Sequence, residues 1–195
     1  MSISEMRLSY DALTLDEKDM NPDPWVQFQK WWDEITAAQT PDWFEPNAMT
    51  LSTADDAGNV TSRIVLLKGF APPSFTFYTN YRSVKGRAIA ANPKVSLCFS
   101  WAPLQRQVRI VGTAAIGARE KSKEYFESRP RESQIGAIAS DQSIAIESRQ
   151  ALQQRWESLQ AQYEDQTPPC PDHWGAYEVT PTHIEFWQGR PGRLH

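Results

Sequence analysis

Four short stretches of the chain concentrate residues that can bind or transform an anion. In SRIVLLKGF, Arg63 and Lys68 stand at the two ends of an apolar run. Five positions apart on a regular strand, they leave it on opposite faces and make no single surface patch. Spacing alone leaves two readings open. Both cations snorkel to water from the ends of a buried strand, or each reaches a different part of one anionic ligand. In FYTNYRSVKG a strand end leads through a polar turn into a helix, with Ser83 at the cap and Lys85 in the first turn. Free N–H groups and the positive end of the helix dipole suit a phosphate there, although such a residue is usually only a cap. In YFESRPRESQ, Tyr125, Arg129 and Ser133 recur every four residues, and Pro130 is placed to open a second helix. One guanidinium fork and two hydroxyls suit a phosphate; the other reading is a solvated helix face. The C-terminal WQGRPGRLH gathers Trp187, Arg190, Arg193 and His195 around two glycines.

Other chemistries lose ground. The histidines are His173, His183 and His195, and none stands at metal-ligand spacing from Cys, Asp or Glu. There is no G-x-S-x-G elbow and no Gly-rich phosphate loop before a helix. Hydrolase, nucleoside-triphosphatase and metalloenzyme readings are therefore disfavoured. Cys98 and Cys170, far apart and without ligand spacing, read as reduced structural thiols. A net charge of -4 offers nucleic acid no general attraction, so any bound anion must be held by local clusters. No run approaches the roughly 18 apolar residues of a membrane span. MSISEMRLSY lacks a basic segment followed by an apolar one, so a cytoplasmic protein is expected.

The elements that must position these residues follow from periodicity. NPDPWVQFQKWWDEI reads as a helix capped by Asp23, with Pro24 at its first position and Trp25, Phe28 and Trp32 facing a core. NAMTLSTADDAGNVTSRIVLLKGF reads as a hairpin turning at DDAGN. SFTFYTN, KVSLCFSW, RQVRIVGTAAI, WGAYEV and HIEFWQ follow as short alternating strands. SVKGRAIAAN, the EKSKEYFESRP and RESQIGAIAS pair, and ESRQALQQRWESLQAQYED read as helices, the last with a stripe of Leu152, Trp156, Leu159 and Tyr163. Six or seven strands in hairpin succession favour an antiparallel barrel. The expected organisation is a mobile N-terminal segment, 1–22, and a single domain over 23–195.

Taken in order, RIVLLK, FYTN, FSW, RQVRIVG, YFESRPRESQIGAIASDQS and EFWQGRPGRLH resemble the pyridoxamine 5'-phosphate oxidase family, from about Asp23 to His195. The resemblance implies an α+β, mainly β fold: an antiparallel FMN-binding split β-barrel with peripheral helices, assembled as a homodimer. It implies oxidation of pyridoxamine or pyridoxine 5'-phosphate to pyridoxal 5'-phosphate, with O2 as acceptor and H2O2 as by-product. Carried over by motif, Arg63, Ile64, Val65, Leu66, Leu67 and Lys68 line FMN, with Tyr78, Thr79 and Lys85 around its ribityl phosphate. Gln107, Gln142, Ser143 and Trp187 complete the flavin site, partly across the dimer interface. Lys68, Tyr125, Arg129 and Ser133 meet the substrate phosphate, and Arg193 and His195 close over the pyridine ring as the catalytic pair. Two departures stand out. Val84 replaces the arginine that usually precedes Lys85, and the family pattern continues past RLH with DR and a further strand, so weaker FMN binding is expected. The alternatives are a flavin oxidase of a phenazine-type substrate and a non-catalytic flavin or pyridoxal phosphate-binding protein.

Overall fold

A computed structural model describes residues 2–6 and 9–195. The expectation of a mobile segment over 1–22 falls partly on Met1, Arg7 and Leu8, which lie outside the described residues. Of the rest, Ile3–Glu5 and Glu17–Asp19 form short 3-10 turns. Gln105 holds this segment by accepting from the Ala12 N–H at 3.0 Å and donating to the Ser9 carbonyl at 3.3 Å.

Helix α1, Pro24–Ala37, starts where expected: the Asp23 carboxylate accepts from the Trp25 N–H at 2.8 Å, satisfying one of the free donors of the first turn. Its inward face carries the expected Trp25, Phe28 and Trp32, all packed on the core, and is wider than expected: Phe28, Trp31 and Ile35 are fully buried, and Trp25 and Trp32 half-buried. Adjacent tryptophans satisfy the helical period almost equally, and tertiary packing selects Trp31.

Seven strands form one antiparallel sheet in the order β2-β1-β5-β6-β7-β4-β3, a split barrel. They are β1 Ala48–Ala54, β2 Val60–Leu66, β3 Gly69–Ala71, β4 Ser74–Asn80, β5 Lys94–Trp101, β6 Arg106–Ile116 and β7 Trp174–Gln188. The β1–β2 turn is closed by Asp55, whose carboxylate accepts from the Ala57 and Asn59 N–H groups, and by Gly58 at φ +83. The Asn59 side-chain amide, which donates to Asp55 at 3.0 Å, and these backbone bonds hold the Asp55 carboxyl below its ordinary pKa.

Two strand expectations need correction. WGAYEV and HIEFWQ are one 15-residue strand, β7. Its register against β6 shifts between Val111 and Gly112, opposite Pro181, so the proline that suggests a break sits at a bulge, where its missing N–H leaves no ladder bond unmade. Gly112 is required there, since a Cβ would lie 2.3 Å from the Thr180 carbonyl oxygen. The apolar run of RIVLLK, moreover, is no buried central strand. β2 pairs only with β1 and forms a sheet edge, with Val60 69% and Ile64 63% exposed.

The core lies between α1 and the concave sheet face, where Leu51, Phe75, Phe77, Leu97, Phe99, Val108 and Ile110 are fully buried. Alternation along β1, and along β4 up to Thr79, delivers the inward residues of those strands. Helices α2 Val84–Ala91, α3 Arg119–Ser128, α4 Arg131–Ala139 and α5 Arg149–Gln162 decorate the sheet. The expected stripe on α5 is only half buried; no residue of that helix is fully covered. No helix among the described residues is long and apolar enough to cross a membrane.

Candidate functional site

A cavity of about 570 Å³ opens where β2, β4, α2, α3 and α4 meet, within the roughly 300–1,000 Å³ usual for small-molecule sites. Arg63, Ile64, Val65, Leu66 and Lys68 form one wall, and Tyr78, Thr79 and Lys85 another. Tyr125, Arg129, Gln142 and Trp174 close it. Leu67 departs from the set. Its side chain turns into the core at 4% exposure, as alternation requires between Leu66 and Lys68.

Each cation is held differently. Arg63 reaches across the β1–β2 ladder and donates to the Leu51 carbonyl at 3.1 Å, to Thr53 Oγ1 at 2.9 Å and to Thr61 Oγ1. Lys85 lies in the first turn of α2, 8% exposed. Its Nζ donates to Gln142 Oε1 at 3.3 Å and Ser83 Oγ at 3.4 Å. The Ser83 hydroxyl accepts from the Gly86 N–H and donates to the Asn80 carbonyl at 2.7 Å, so it is an occupied cap. Gln142 also accepts from Thr79 Oγ1 at 3.3 Å, tying the loop after α4 to β4.

Arg129 follows the last residue of α3, and Pro130 is the N-cap of α4, so the proline does open a helix. Tyr125 and Arg129 lie one turn apart on the same face. The rings of Tyr78 and Tyr125 stack at 3.9 Å between centroids. Ser133 sits in the first turn of α4, one turn before the lining residues Gly136 and Ala137 and on their face.

The electrostatics of this cavity are one-sided. Burial lowers the pKa of Arg63 and Arg129, and burial together with the Arg63 charge lowers that of Lys85. The ion pairs among the described residues involve Arg106, Arg109, Arg119, Arg155 and Arg190. Among the described residues, Arg63, Lys68, Lys85 and Arg129 have no carboxylate partner, and Nη1 of Arg129 is buried with no acceptor. Lys68 is exposed, whereas Arg63, Lys85 and Arg129 are partly or fully desolvated, and desolvated cations without fixed anions are suited to an anionic ligand.

The remaining expected residues lie elsewhere. Gln107 and Trp187 are directly opposed across β6 and β7. Trp187 and His195 line a second cavity, and their rings lie 4.5 Å apart. Tyr10 meets both rings edge-on. The two cavities share no lining residue. Trp174, in the first, is the opening residue of β7, and Trp187 comes thirteen residues later, up to about 40 Å along an extended strand. Ser143 and Arg193 adopt left-handed backbone conformations at φ 69 and φ 60, the kind of local strain that collects at functional loops. Trp174 itself carries no flag in the sequence, because a lone tryptophan at a strand start reads as core.

The chain matches two family models: "Pyridoxamine 5'-phosphate oxidase" over residues 35–163 and "Pyridoxine 5'-phosphate oxidase C-terminal dimerisation region" over residues 174–195. It is 53% identical to a pyridoxine/pyridoxamine 5'-phosphate oxidase of Rhodopirellula baltica, aligned over 100% of this chain and 87% of that protein. A protein of the same name from Burkholderia thailandensis is 49% identical, over 100% of this chain and 89% of the relative. Among solved structures, PhzG from Burkholderia lata, in complex with tetrahydrophenazine-1-carboxylic acid, superposes with a TM-score of 0.88. That likeness has 26% identity and covers 96% of this chain and 90% of the other. A pyridoxamine 5'-phosphate oxidase-related, FMN binding protein from Nostoc punctiforme shares the fold, with a TM-score of 0.67 at 13% identity over 89% of each chain.

Proposed function

The chain belongs to the pyridoxamine 5'-phosphate oxidase family, FMN-dependent oxidoreductases, and on that premise we propose that it oxidises pyridoxine or pyridoxamine 5'-phosphate to pyridoxal 5'-phosphate, with dioxygen as acceptor. The observation that carries this reading is the set of four cavity cations without carboxylate partners. A monophosphate cofactor beside a monophosphate substrate supplies the anions that the chain itself does not.

The residues fit such a pair. Lys85, Arg63 and Thr79 would hold the FMN phosphate, with Gln142 and Ser143 alongside and the 63–68 segment against the flavin. Arg129, Tyr125, Ser133 and Lys68 would hold the substrate phosphate. FMN held there would supply the redox chemistry, accepting a hydride from the substrate carbon and returning the electrons to dioxygen as hydrogen peroxide; the amine substrate would leave as an imine, whose hydrolysis by water gives the aldehyde and ammonia. The protein's contribution is orientation. Two phosphates fixed at separate cation groups set the distance between the reacting carbon and the flavin.

Gln107, Trp187, Arg193 and His195 are assigned to the cavity of a second copy. The length of β7 supports this, because the end carrying Trp174 and the end carrying Trp187 serve different cavities. Ile64, Val111 and Ile116, all exposed, offer apolar surface for such a homodimer. Arg193 and His195 would then contact the pyridine ring, with Arg193 orienting the reacting carbon and assisting proton movement.

The test is a visible spectrum of the FMN-loaded protein under anaerobic conditions, followed by readmission of oxygen. Pyridoxine 5'-phosphate should bleach the flavin band, and oxygen should restore it with formation of peroxide. A phenazine-type substrate is the second reading, favoured by the superposition on PhzG; it would bleach the flavin while pyridoxine 5'-phosphate did not. Bound flavin that nothing bleaches would point to a binding protein.

A further inference from the structure

Building on the substrate-phosphate seat proposed above, we propose that Trp174 is a positioning residue for it. The indole face holds the Arg129 guanidinium in the cavity, where a protein acceptor would otherwise be needed. Arg63, Arg106, Arg119 and Arg190 all donate to protein oxygen atoms. The Arg129 side chain makes no hydrogen bond and no ion pair among the described residues. Its Cζ instead lies 4.7 Å from the centre of the Trp174 ring and 5.7 Å from that of Phe126. Ring faces attract a guanidinium without using its N–H donors, so all five stay free for a ligand.

The alternative ways of fixing an arginine would spoil the seat. A carboxylate would neutralise the charge and compete with phosphate, and full exposure would leave the side chain many rotamers to lose on binding. An aromatic face orients the cation, keeps water from one side and leaves the charge uncompensated. Trp has the strongest such face among the aromatic residues.

The same ring also sets Tyr125. Trp174 is nearly parallel to Tyr125, at 8° and 6.2 Å, and to Tyr78, at 16° and 5.4 Å. One near-parallel group thus joins β7, α3 and β4 and supports both Tyr125 and Arg129. The position of the ring is in turn fixed by its backbone. The Trp174 carbonyl accepts from Arg119 Nη1 at 2.8 Å and its N–H donates to the Pro171 carbonyl at 3.0 Å. At the following Gly175 a Cβ would lie 2.2 Å from the Tyr81 hydroxyl, so this strand start has little room to shift. A substrate without phosphate would leave the held guanidinium desolvated and unpaired, which makes Trp174 a determinant of the preference for phosphorylated substrates.

The experiment is a double-variant cycle on the FMN-loaded protein, reading kcat and KM for pyridoxine 5'-phosphate and the inhibition constant of inorganic phosphate. Trp174→Leu should raise both KM and the phosphate inhibition constant by about threefold to thirtyfold, the range of a desolvated cation–π contact, while kcat changes by less than about twofold. Trp174→Phe should fall between Leu and the native residue. In an Arg129→Ala background the same Trp174 changes should lose most of their effect, keeping only the part that passes through Tyr125, since no guanidinium remains to be held. Should Trp174→Leu fail to fold or to load flavin, Trp174→Phe carries the comparison, with an expected rise of about twofold to fivefold. Unchanged constants in the Trp174 variants, or effects that multiply fully in the Arg129→Ala background, would overturn the proposal. If Arg129→Ala raises KM and the Trp174 variants are silent, the phosphate seat stands and only the role of Trp174 falls. If Arg129→Ala itself changes nothing, the seat falls with it.

Discussion

Two sets of basic residues divide this molecule. Around the sheet, Arg106, Arg109 and Arg190 are paired with carboxylates. Arg106 is 7% exposed and bonded to Glu34, donates to Gln188 Oε1 at 2.8 Å and lies 4.3 Å over the Trp31 ring. Arg109 meets Glu185, and Arg190 reaches Asp16 and the Leu15 carbonyl. In the cavity, Lys85 is buried and Arg63 and Arg129 are half-buried, and among the described residues none has a carboxylate partner. The first set contributes to the fold. The second lacks a counter-ion, which is unfavourable where the charge is desolvated, and the proposed phosphate ligands would supply it. The difference supplies a criterion for reading other chains: a cation whose removal should stabilise the empty protein is a candidate for binding, and one whose removal destabilises it belongs to the scaffold.

The largest effect that would sharpen this division is on binding. Arg129→Ala should raise KM for pyridoxine 5'-phosphate about tenfold to hundredfold, the worth of a charge-assisted contact to phosphate, with the flavin-free protein no less stable. Steady-state kinetics and a urea titration check both halves; a loss of stability would move Arg129 into the scaffold set. Next comes Arg106→Met, which should lower stability by about 2–3 kcal/mol. This is less than the full penalty of an orphaned buried charge, because Glu34 is 38% exposed and can rehydrate. An unchanged denaturation midpoint would break the comparison from its other side. Arg109→Ala should be smaller, under about 1 kcal/mol, since the Arg109–Glu185 pair is open to solvent at 50% and 36%.

The smallest effect is a pH dependence of the flavin-free protein. The folded chain holds Lys85 below its ordinary value of 10.5 through burial and the nearby Arg63. Between the depressed value and 10.5 the unfolded chain binds more protons than the folded one, so stability rises with pH across that window. Urea midpoints measured up to about pH 10 should therefore climb more steeply in the native protein than in Lys85→Met. Parallel profiles would show that the ammonium is well solvated.

Much of the scaffold was legible in the sequence where the signals are local. Asp23 before Pro24, Ser83 before α2, and Asp55 with Gly58 in the first hairpin each act within a few residues, and each caps or turns as read. What was not legible depends on tertiary choice. Trp31 and Trp32 differ by one position, and only packing decides which is buried. Pro181 looks like a strand end until β6 places Gly112 opposite it. The apolar run between Arg63 and Lys68 reads as a buried strand, while the sheet order makes β2 an edge. In the candidate site, cation types and spacings could be read directly, but Trp174 could not, because its meaning lies in rings brought from α3 and β4. Nor does any spacing reveal that Trp187 and His195 line a cavity separate from the one that holds Arg129.

The most direct measurement is the melting temperature of native protein and Lys85→Met, each without flavin and with a fixed excess of FMN. The variant is expected to melt at or above the native temperature when empty and to lose most of the FMN-dependent rise, because ligand stabilisation tracks affinity. An empty variant that melts well below the native protein, with its FMN-dependent rise intact, would contradict the assignment of the cavity cations to ligand phosphate.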